Sequence, residues 1–269
     1  MLHPAFSMPS NAPHLSVVVP AYNEETRLER TLRDAWVYLR ATGRSFEITV
    51  VDDGSRDRTS ALVTRLAKEM SELRLIRLPA NRGKGYAVRT GVVNAQGPLV
   101  LFLDADGATP IWEVERLEAS LAAGADVAIG SRILQQEGIV VKAKLYRRFI
   151  GRVFRKLVSL LTTIREIHDT QCGFKLFRGE VAQDLFSRMR MDGFSFDVEV
   201  LLMAQRQGFR IAELPVNWVH QPGSRVNLVT DSIRMARDLF IIRARAIRGD
   251  YRLPHMAPME VQALDNRQT

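Results

Sequence analysis

The chain of 269 residues has little cysteine, few aromatic residues and no long apolar run. Its single cysteine, Cys172, excludes an internal disulfide framework and predicts a reducing, cytoplasmic environment. No apolar stretch reaches the ~18 residues of a spanning helix, and residues 1–14 show no signal-peptide pattern. Aromatic residues make up 7% of the chain, and zinc-ligand spacing is absent. A nucleic-acid-binding module is therefore disfavoured.

Acidic residues are missing from one long stretch of a chain whose formal net charge is +8. Residues 138–165 contain no Asp or Glu, and their apolar residues recur at helical spacing. A basic amphipathic helix of this kind is typical of membrane interfaces. Residues 228–248 repeat the pattern more weakly. The alternative is that both helices pack on the protein and expose a solvated basic face. The basic and apolar residues of the first stretch are Lys142, Lys144, Arg147, Arg148, Arg152, Arg155, Lys156 and Arg165, and Val141, Leu145, Phe149, Val153, Leu157, Leu161 and Ile164.

Short apolar runs alternate with helical spacing along most of the chain. This alternation predicts an α/β fold with a mostly parallel central sheet flanked by helices. One domain over residues 15–251 is expected, with a disordered N-terminus at 1–14 and a frayed tail at 252–269. The predicted strands are 15–20, 46–51, 73–78, 98–103, 125–130 and 210–219.

Polar and glycine residues follow successive predicted strands, where an open α/β sheet binds its ligand. Asp104 and Asp106 stand two residues apart, and such carboxylates suit Mg²⁺ or Mn²⁺, which would neutralise a diphosphate leaving group. Asp52 is suited to accept hydrogen bonds from a nucleoside. Asn81 and Lys84 lie in a basic, glycine-containing loop that can approach phosphate closely.

Each of these motifs has an ordinary structural alternative. Residues 52–55 (DDGS) equally suit a turn and helix cap. Residues 104–106 (DAD) are too short to specify a metal site alone. Their shared position after successive strands favours a nucleotide-binding site.

Four segments in order resemble family 2 inverting glycosyltransferases of the GT-A fold: residues 19–24 (VPAYNE), 51–55 (VDDGS), 81–85 (NRGKG) and 104–106 (DAD). Three others resemble the polyprenyl-phosphate branch of that family, the dolichyl-phosphate glucosyl- and mannosyltransferases: 104–110 (DADGATP), 130–132 (GSR) and 169–175 (DTQCGFK). The resemblance extends from about residue 15 to about residue 251.

The resemblance implies roles for residues along the whole chain. Asp104 and Asp106 would hold the metal and diphosphate and, with Arg132, form the catalytic centre. The donor nucleotide would contact Pro20, Ala21, Tyr22, Glu24, Asp52, Asn81, Lys84 and Asp104. The candidates for the acceptor phosphate are Arg132, Lys175 and Arg225, and those for the acceptor side are Asp169, Gln171 and Asp197.

The implied activity is inverting transfer of a hexose from a nucleotide sugar to a polyprenyl or dolichyl phosphate. Ala108 stands where mannosyl-type relatives carry a metal-binding glutamine, which favours UDP-glucose as donor. GDP-mannose and a soluble acceptor remain alternatives. A sugar-nucleotide sensor would require loss of Asp104 and Asp106.

A phosphate acceptor needs no general base, because its second pKa of about 6 leaves it largely dianionic. The enzyme is expected to be peripheral, at the cytoplasmic face of a membrane.

Overall fold

The computed structural model describes residues 12–142, 145–221 and 228–251, except for the side chains of 142, 145–150, 228 and 229. The predicted tail at 252–269, most of the predicted N-terminal segment and Arg225 lie outside these residues. Residues 12–14 are described, and the His14 amide donates to the Ser45 carbonyl over 2.9 Å.

The fold is a seven-stranded, mostly parallel sheet with helices on both faces, as predicted. Its strand order is β3-β2-β1-β4-β7-β5-β8, and β6 and β9 form a separate pair. The strands are β1 (Leu15–Ala21), β2 (Phe46–Asp52), β3 (Leu73–Arg77), β4 (Leu99–Leu103), β5 (Val127–Ser131), β6 (Val141–Lys142), β7 (Phe174–Arg178), β8 (Ile211–Pro215) and β9 (Trp218–Val219). The helices are α1 (Leu28–Ala41), α2 (Thr59–Leu66), α3 (Lys84–Val93), α4 (Val114–Ala122), α5 (Leu145–Leu161), α6 (Gly179–Arg188), α7 (Phe196–Arg206) and α8 (Leu228–Arg248).

Two apolar cores lie on opposite faces of the sheet. Alternate residues of a strand point to opposite faces, so Val17 and Val19 join one core and Val18 the other. Helices α1, α2 and α4 cover the first core. Helices α3, α6 and α7 cover the second, together with parts of α5 and α8. Burial on both faces explains why β1 and β2 are short, almost continuous apolar runs.

Strand β7 was not predicted, and it is the antiparallel member of the sheet. It lies between β4 and β5 and pairs with both. Lys175 interrupts its apolar pattern, although that lysine is only 2% exposed. Because β7 runs in the opposite direction, its first residue, Phe174, pairs with Leu103 at the carboxyl end of β4. The residues that precede β7 therefore lie at the ligand-binding edge.

The prediction of one strand over 210–219 is wrong. Strand β8 ends at Pro215, and β9 pairs with β6 in a second sheet. Asn217 lies between the two strands and donates from its side-chain amide to Glu113 over 2.6 Å. This contact, together with the buried Val216, turns the chain out of the main sheet.

The helix predicted within residues 138–165 is shorter than expected, because α5 follows the short strand β6. Its predicted apolar side is divided. Leu157 packs against the second core, whereas Val153 is 55% exposed. Leu160, which was not assigned to that side, is 72% exposed. Part of α5 therefore packs on the protein, which agrees with the alternative to a membrane-interface helix that the sequence left open.

Helix α8 carries two apolar stripes. Leu239, Ile242 and Ala246 are buried in the second core. The side predicted from the sequence faces outward, with Ile233 66%, Phe240 58% and Ile247 72% exposed. We call Ile233, Phe240 and Ile247 the outer stripe. None of the helices in the described residues is long and apolar enough to cross a membrane.

Candidate active site

A cleft of about 660 Å³ opens at the carboxyl ends of β1, β2 and β4. Its position agrees with the general rule for open α/β sheets. Most of the residues predicted to bind the donor and metal line it. These are Pro20, Ala21, Tyr22, Glu24, Asn81, Lys84, Asp104 and Asp106.

The two adjacent aspartates after β2 have different roles. Asp52 is fully buried and does not line the cleft. Its carboxylate accepts hydrogen bonds from the Ser55 amide, at 2.9 Å, and from the Ser60 hydroxyl. The turn interpretation therefore fits Asp52, and the predicted nucleoside contact does not agree with this placement.

Asp53, which was not among the predicted site residues, does line the cleft. Its two carboxylate oxygens accept from the backbone amides of Arg82 and Gly83, both at 2.8 Å. Burial raises the pKa of Asp53, although these two hydrogen bonds oppose the shift. Asp53 thus fixes the backbone of the basic loop at the start of α3.

Each of the two carboxylates predicted to bind a metal, Asp104 and Asp106, has a cationic neighbour in the cleft. The Lys84 Nζ lies 2.7 Å from Asp104 Oδ1. The Arg27 Nη1 lies 4.0 Å from Asp106 Oδ2, and Arg27 also bonds Glu24 at 2.5 Å. Burial and the charge of Asp104 raise the pKa of Asp106, while Arg27 and Lys84 act against the increase. The pair therefore forms a concentrated negative charge that cations neutralise.

The donor set fits a divalent cation that keeps part of its hydration shell. Within the part of the chain that the structure describes, no three His, Cys, Asp or Glu side chains converge. Asp104 and Asp106 would supply two oxygen ligands and leave the other positions to water and diphosphate oxygens. Mg²⁺ is commonly bound by one or two carboxylates plus substrate phosphates.

Gly173 places Asp104. The Asp104 amide donates to the Gly173 carbonyl over 3.0 Å, and the Asp104 carboxylate packs directly on the Gly173 Cα. A Cβ at this position would overlap that carboxylate. Glycine is therefore required before β7 for Asp104 to take this position.

Arg132 and Asp169 form a closed ion pair beside the cleft. Asp169 accepts from the Arg132 backbone amide at 2.9 Å, from its Nε at 2.7 Å and from its Nη2 at 2.8 Å. Burial would raise the pKa of Asp169, but Arg132 outweighs it and the net pKa is lowered. The Gln171 amide also donates to Asp169, at 3.3 Å. Neither Arg132 nor Asp169 lines the cleft in this structure.

Lys175 and Asp197 lie in the interior. Lys175 Nζ donates to Asp197 Oδ1 and to the Cys172 carbonyl, both at 2.6 Å. The two side chains are 2% and 4% exposed. The predicted contact of Lys175 with an acceptor phosphate, and that of Asp197 with the acceptor, do not agree with this burial. Cys172 is also buried, which raises the pKa of its thiol to about 12 and leaves it a poor nucleophile.

Comparison with known proteins assigns the family. The family model described as Glycosyl transferase family 2 matches residues 16–186, which is more than half of the chain. The chain belongs to glycosyltransferase family 2. The resemblance of the four sequence motifs to this family is thereby confirmed, and the molecule is a glycosyltransferase.

Two relatives of this family 2 enzyme are similar over most of their length. Dolichyl-phosphate beta-glucosyltransferase from Saccharomyces cerevisiae is 40% identical over 256 residues, covering 88% of this chain and 76% of the yeast protein. The protein of the same name from Homo sapiens is 38% identical over 258 residues, covering 91% and 79%.

A solved structure confirms the GT-A fold of this family 2 enzyme. Glucosyl-3-phosphoglycerate synthase from Mycobacterium tuberculosis, in complex with Mn²⁺, uridine diphosphate and phosphoglyceric acid, superposes with a TM-score of 0.63. The match covers 91% of this chain and 80% of that protein at 20% identity.

One wall of the glycosyltransferase cleft was not predicted from the sequence. It comes from the loop before α7 and from the start of α8. The α8 side was predicted only as a membrane-facing helix, and its arginines were the available signal. The cleft residues on this wall are Gly193, Phe194, Asp231, Arg234, Met235, Arg237 and Asp238. Elsewhere in the cleft, the residues that were not among the predicted site residues are Arg27, Asp53, Arg82, Gly83, Ala87 and Ala105.

Buried Glu199 holds this wall from behind. It is 0% exposed and accepts from the amides of Arg190 and Met191, at 2.8 and 2.6 Å. The Tyr251 hydroxyl also donates to it, at 2.7 Å. Next to these amides, the Asp192 carbonyl accepts from the Tyr86 amide at 3.1 Å. Glu199 therefore connects the end of α8 to the loop that packs on α3.

Proposed function

We propose that this glycosyltransferase moves glucose from UDP-glucose onto a dolichyl or related polyprenyl phosphate at a membrane surface. The main observation behind this proposal is that Asp104 and Asp106 lie together in the cleft formed by the ends of β1, β2 and β4. Relatives named dolichyl-phosphate beta-glucosyltransferase, which match most of the chain, support the acceptor and sugar.

A divalent metal, Mg²⁺ or Mn²⁺, bound by Asp104 and Asp106 would stabilise the diphosphate leaving group as the glycosidic bond to it breaks. Lys84 and Arg27 add positive charge to the same end of the cleft. Pro20, Ala21 and Tyr22 give the donor a surface at the end of β1.

Ala108 supports glucose rather than mannose as the sugar. It is 5% exposed, and its backbone amide donates to Asp106 Oδ1 over 3.1 Å. A methyl side chain supplies no metal ligand beside that carboxylate. Asp104 and Asp106 would then be the protein ligands of the metal, with water and the nucleotide at its other positions.

The acceptor phosphate attacks the anomeric carbon from the side opposite the diphosphate, and the configuration inverts. A largely dianionic phosphate is itself the nucleophile, so no side chain has to remove a proton. Cations are needed to bring two anionic substrates together. Arg234 and Arg237 reach the cleft from α8, while Arg132, held by Asp169, stands beside it.

The outer stripe supports a membrane surface as the location of the acceptor. Three exposed apolar side chains repeat every seventh residue along α8. Arg243 Nη1 lies 3.4 Å from the Leu160 carbonyl, which places the exposed end of α5 beside this stripe. Exposed Arg152 and Lys156 on α5 provide charges that attract anionic lipid.

A donor-by-acceptor assay tests the proposal. Purified protein with Mn²⁺ or Mg²⁺ is given radiolabelled UDP-glucose or GDP-mannose and dolichyl phosphate in detergent. We expect label in the lipid phase from UDP-glucose, with a β linkage to phosphate, and its loss in Asp106→Ala. Asp34→Ala, which removes an exposed carboxylate on α1, is the matched control and should keep full activity.

Two other outcomes would change the proposal. Labelling from GDP-mannose alone would retain the mechanism and reject the sugar. Transfer only to a soluble phosphorylated acceptor would reject the lipid.

We also propose that the enzyme faces the cytoplasm, where buried Cys172 stays reduced. Protease added to the cytoplasmic side of sealed membrane vesicles should digest it, and protection would contradict this location.

A further inference from the structure

Lys84 occupies a position in the cleft that matters for the metal. Its ammonium lies 2.7 Å from Asp104 Oδ1, and the two side chains are 22% and 33% exposed. The ammonium also lies 5.1 Å from the centre of the Phe102 ring. This is a close, partly enclosed contact with the carboxylate that the proposed function assigns to the metal.

The ammonium and a metal ion would compete for the Asp104 carboxylate. A divalent cation bound at about 2.1 Å from Asp104 Oδ1 would face a positive charge at hydrogen-bond distance from the same atom. Coulomb repulsion between two cations so close is strong where solvent is partly excluded. A metal bound through Oδ1, the oxygen that Lys84 contacts, would therefore displace the ammonium.

The surroundings allow the side chain to move while its backbone stays fixed. Lys84 is the first residue of α3 and follows Gly83, which has a φ of 108°. Asp53 holds the Gly83 amide at 2.8 Å, and a Cβ on Gly83 would overlap the Asp192 carbonyl. The loop is thus held on both sides, and only the flexible lysine stem is free to change partner.

We propose that Lys84 holds Asp104 in the empty enzyme and is exchanged for the metal when a nucleotide diphosphate enters. The ammonium then pairs with the diphosphate oxygens, while the divalent cation takes its place on Asp104. The proposal rests on the metal assignment in the proposed function. It gives Lys84 a second role beyond binding the donor, which is to make metal binding depend on the nucleotide.

The exchange predicts reciprocal coupling between the two ligands. A competitor removed by the nucleotide raises metal affinity, and by linkage the metal raises nucleotide affinity by the same factor. The free enzyme consequently binds the metal weakly, whereas the metal and nucleotide bind strongly together.

The test measures Mn²⁺ binding to the full chain by electron paramagnetic resonance, with no acceptor present. Lys84→Met should bind Mn²⁺ alone about tenfold more tightly than the unaltered protein, which corresponds to ~1.4 kcal/mol. In the same variant UDP alone should bind more weakly, and the gain in Mn²⁺ affinity caused by UDP should shrink. Lys84→Gln, which retains a polar end group, provides a second uncharged variant if Lys84→Met does not fold.

Arg82→Met is the matched control. Arg82 lies in the same loop and lines the same cleft, but it pairs with Asp192 at 3.8 Å and stacks on Tyr86. Unchanged or weaker Mn²⁺ binding in both Lys84 variants would overturn the proposal. An equal increase in Arg82→Met would also overturn it, because general charge would then explain the effect. Binding of Mn²⁺ and UDP without glucosyl transfer would leave the exchange intact and reject only the proposed acceptor or sugar.

Discussion

The two walls of the cleft are built in different ways. On one wall, the functional side chains follow β1, β2 and β4 directly, and buried strands fix where each one emerges. On the other, Arg234 and Arg237 come from a helix late in the chain, beside the loop at Gly193. The first wall is determined by local sequence order, whereas the second depends on how α8 packs. Side chains on the strand-end wall can therefore be substituted one at a time without moving the others. A change in the packing of α8 would instead move all the residues of its wall together.

The largest expected effect concerns the strand-end wall. Gly173→Ala would push the Asp104 carboxylate from its position, because the new Cβ overlaps it. We expect transferase activity to fall at least about hundredfold, since small displacements of reacting groups cost this much. Gly151→Ala is the control, because a Cβ there meets nothing within 4 Å. Full activity in Gly173→Ala would show that Asp104 does not need this placement.

The second prediction concerns the ion pair next to that wall. Asp169→Asn leaves the Arg132 guanidinium without its carboxylate, and we expect a loss of about 3 kcal/mol in the free energy of unfolding. Urea denaturation measures it. The folded-state pKa of Asp169 is lowered, so its stabilisation is complete above its unfolded pKa of about 3.9 and is lost as the pH falls through the lower folded value.

The difference in stability between the unaltered protein and Asp169→Asn should therefore be full at neutral pH and narrow in strongly acidic solution. Asp34→Asn, on the exposed surface of α1, should show no such difference at any pH. A difference that grows on acidification would contradict the assigned direction of the Asp169 pKa.

The third prediction tests the proposed contact between the outer stripe of α8 and lipid. Phe240→Ser should weaken binding to vesicles of anionic phospholipid about tenfold, because an apolar side chain worth ~1.5–3 kcal/mol no longer enters the lipid. Co-sedimentation measures the binding. Val37→Ser changes an equally exposed apolar residue on α1 and should have no effect. An equal loss of vesicle binding in both variants would show that the outer stripe is not a specific lipid contact.

The smallest effect concerns the link between the two walls. Tyr251→Phe removes one of the hydrogen bonds to Glu199, and we expect a loss of about 1 kcal/mol of stability. Thermal unfolding measures it. Hydrogen exchange at Met191 should increase in the same variant. If stability falls and exchange at Met191 does not change, Glu199 does not transmit the loss to the cleft loop.

The sequence predicted the strand-end wall well. Asp104 and Asp106 were found because a buried strand ends immediately before them. The donor contact was assigned to Asp52, whereas Asp53 is the residue that lines the cleft. Neighbouring residues of a strand point to opposite sides, and the sequence pattern does not say which of the two faces the cleft. Lys175 was predicted to be exposed, because a lysine is seldom buried without a partner and its partner, Asp197, lies further along the chain. Strand β7 was missed because Lys175 interrupts its apolar pattern.

The reversed direction of β7 has a consequence for how the enzyme matures. Strands β1 to β4 can associate through connections between neighbouring segments, but Asp104 packs on a glycine that is synthesised much later. Contacts between distant segments close slowly, because the ordering cost precedes the gain. A nascent chain that ends before Gly173 would contain Asp104 and Asp106 and still lack the glycine that positions Asp104. Catalytic competence therefore appears late during synthesis, after β7 has been inserted between β4 and β5.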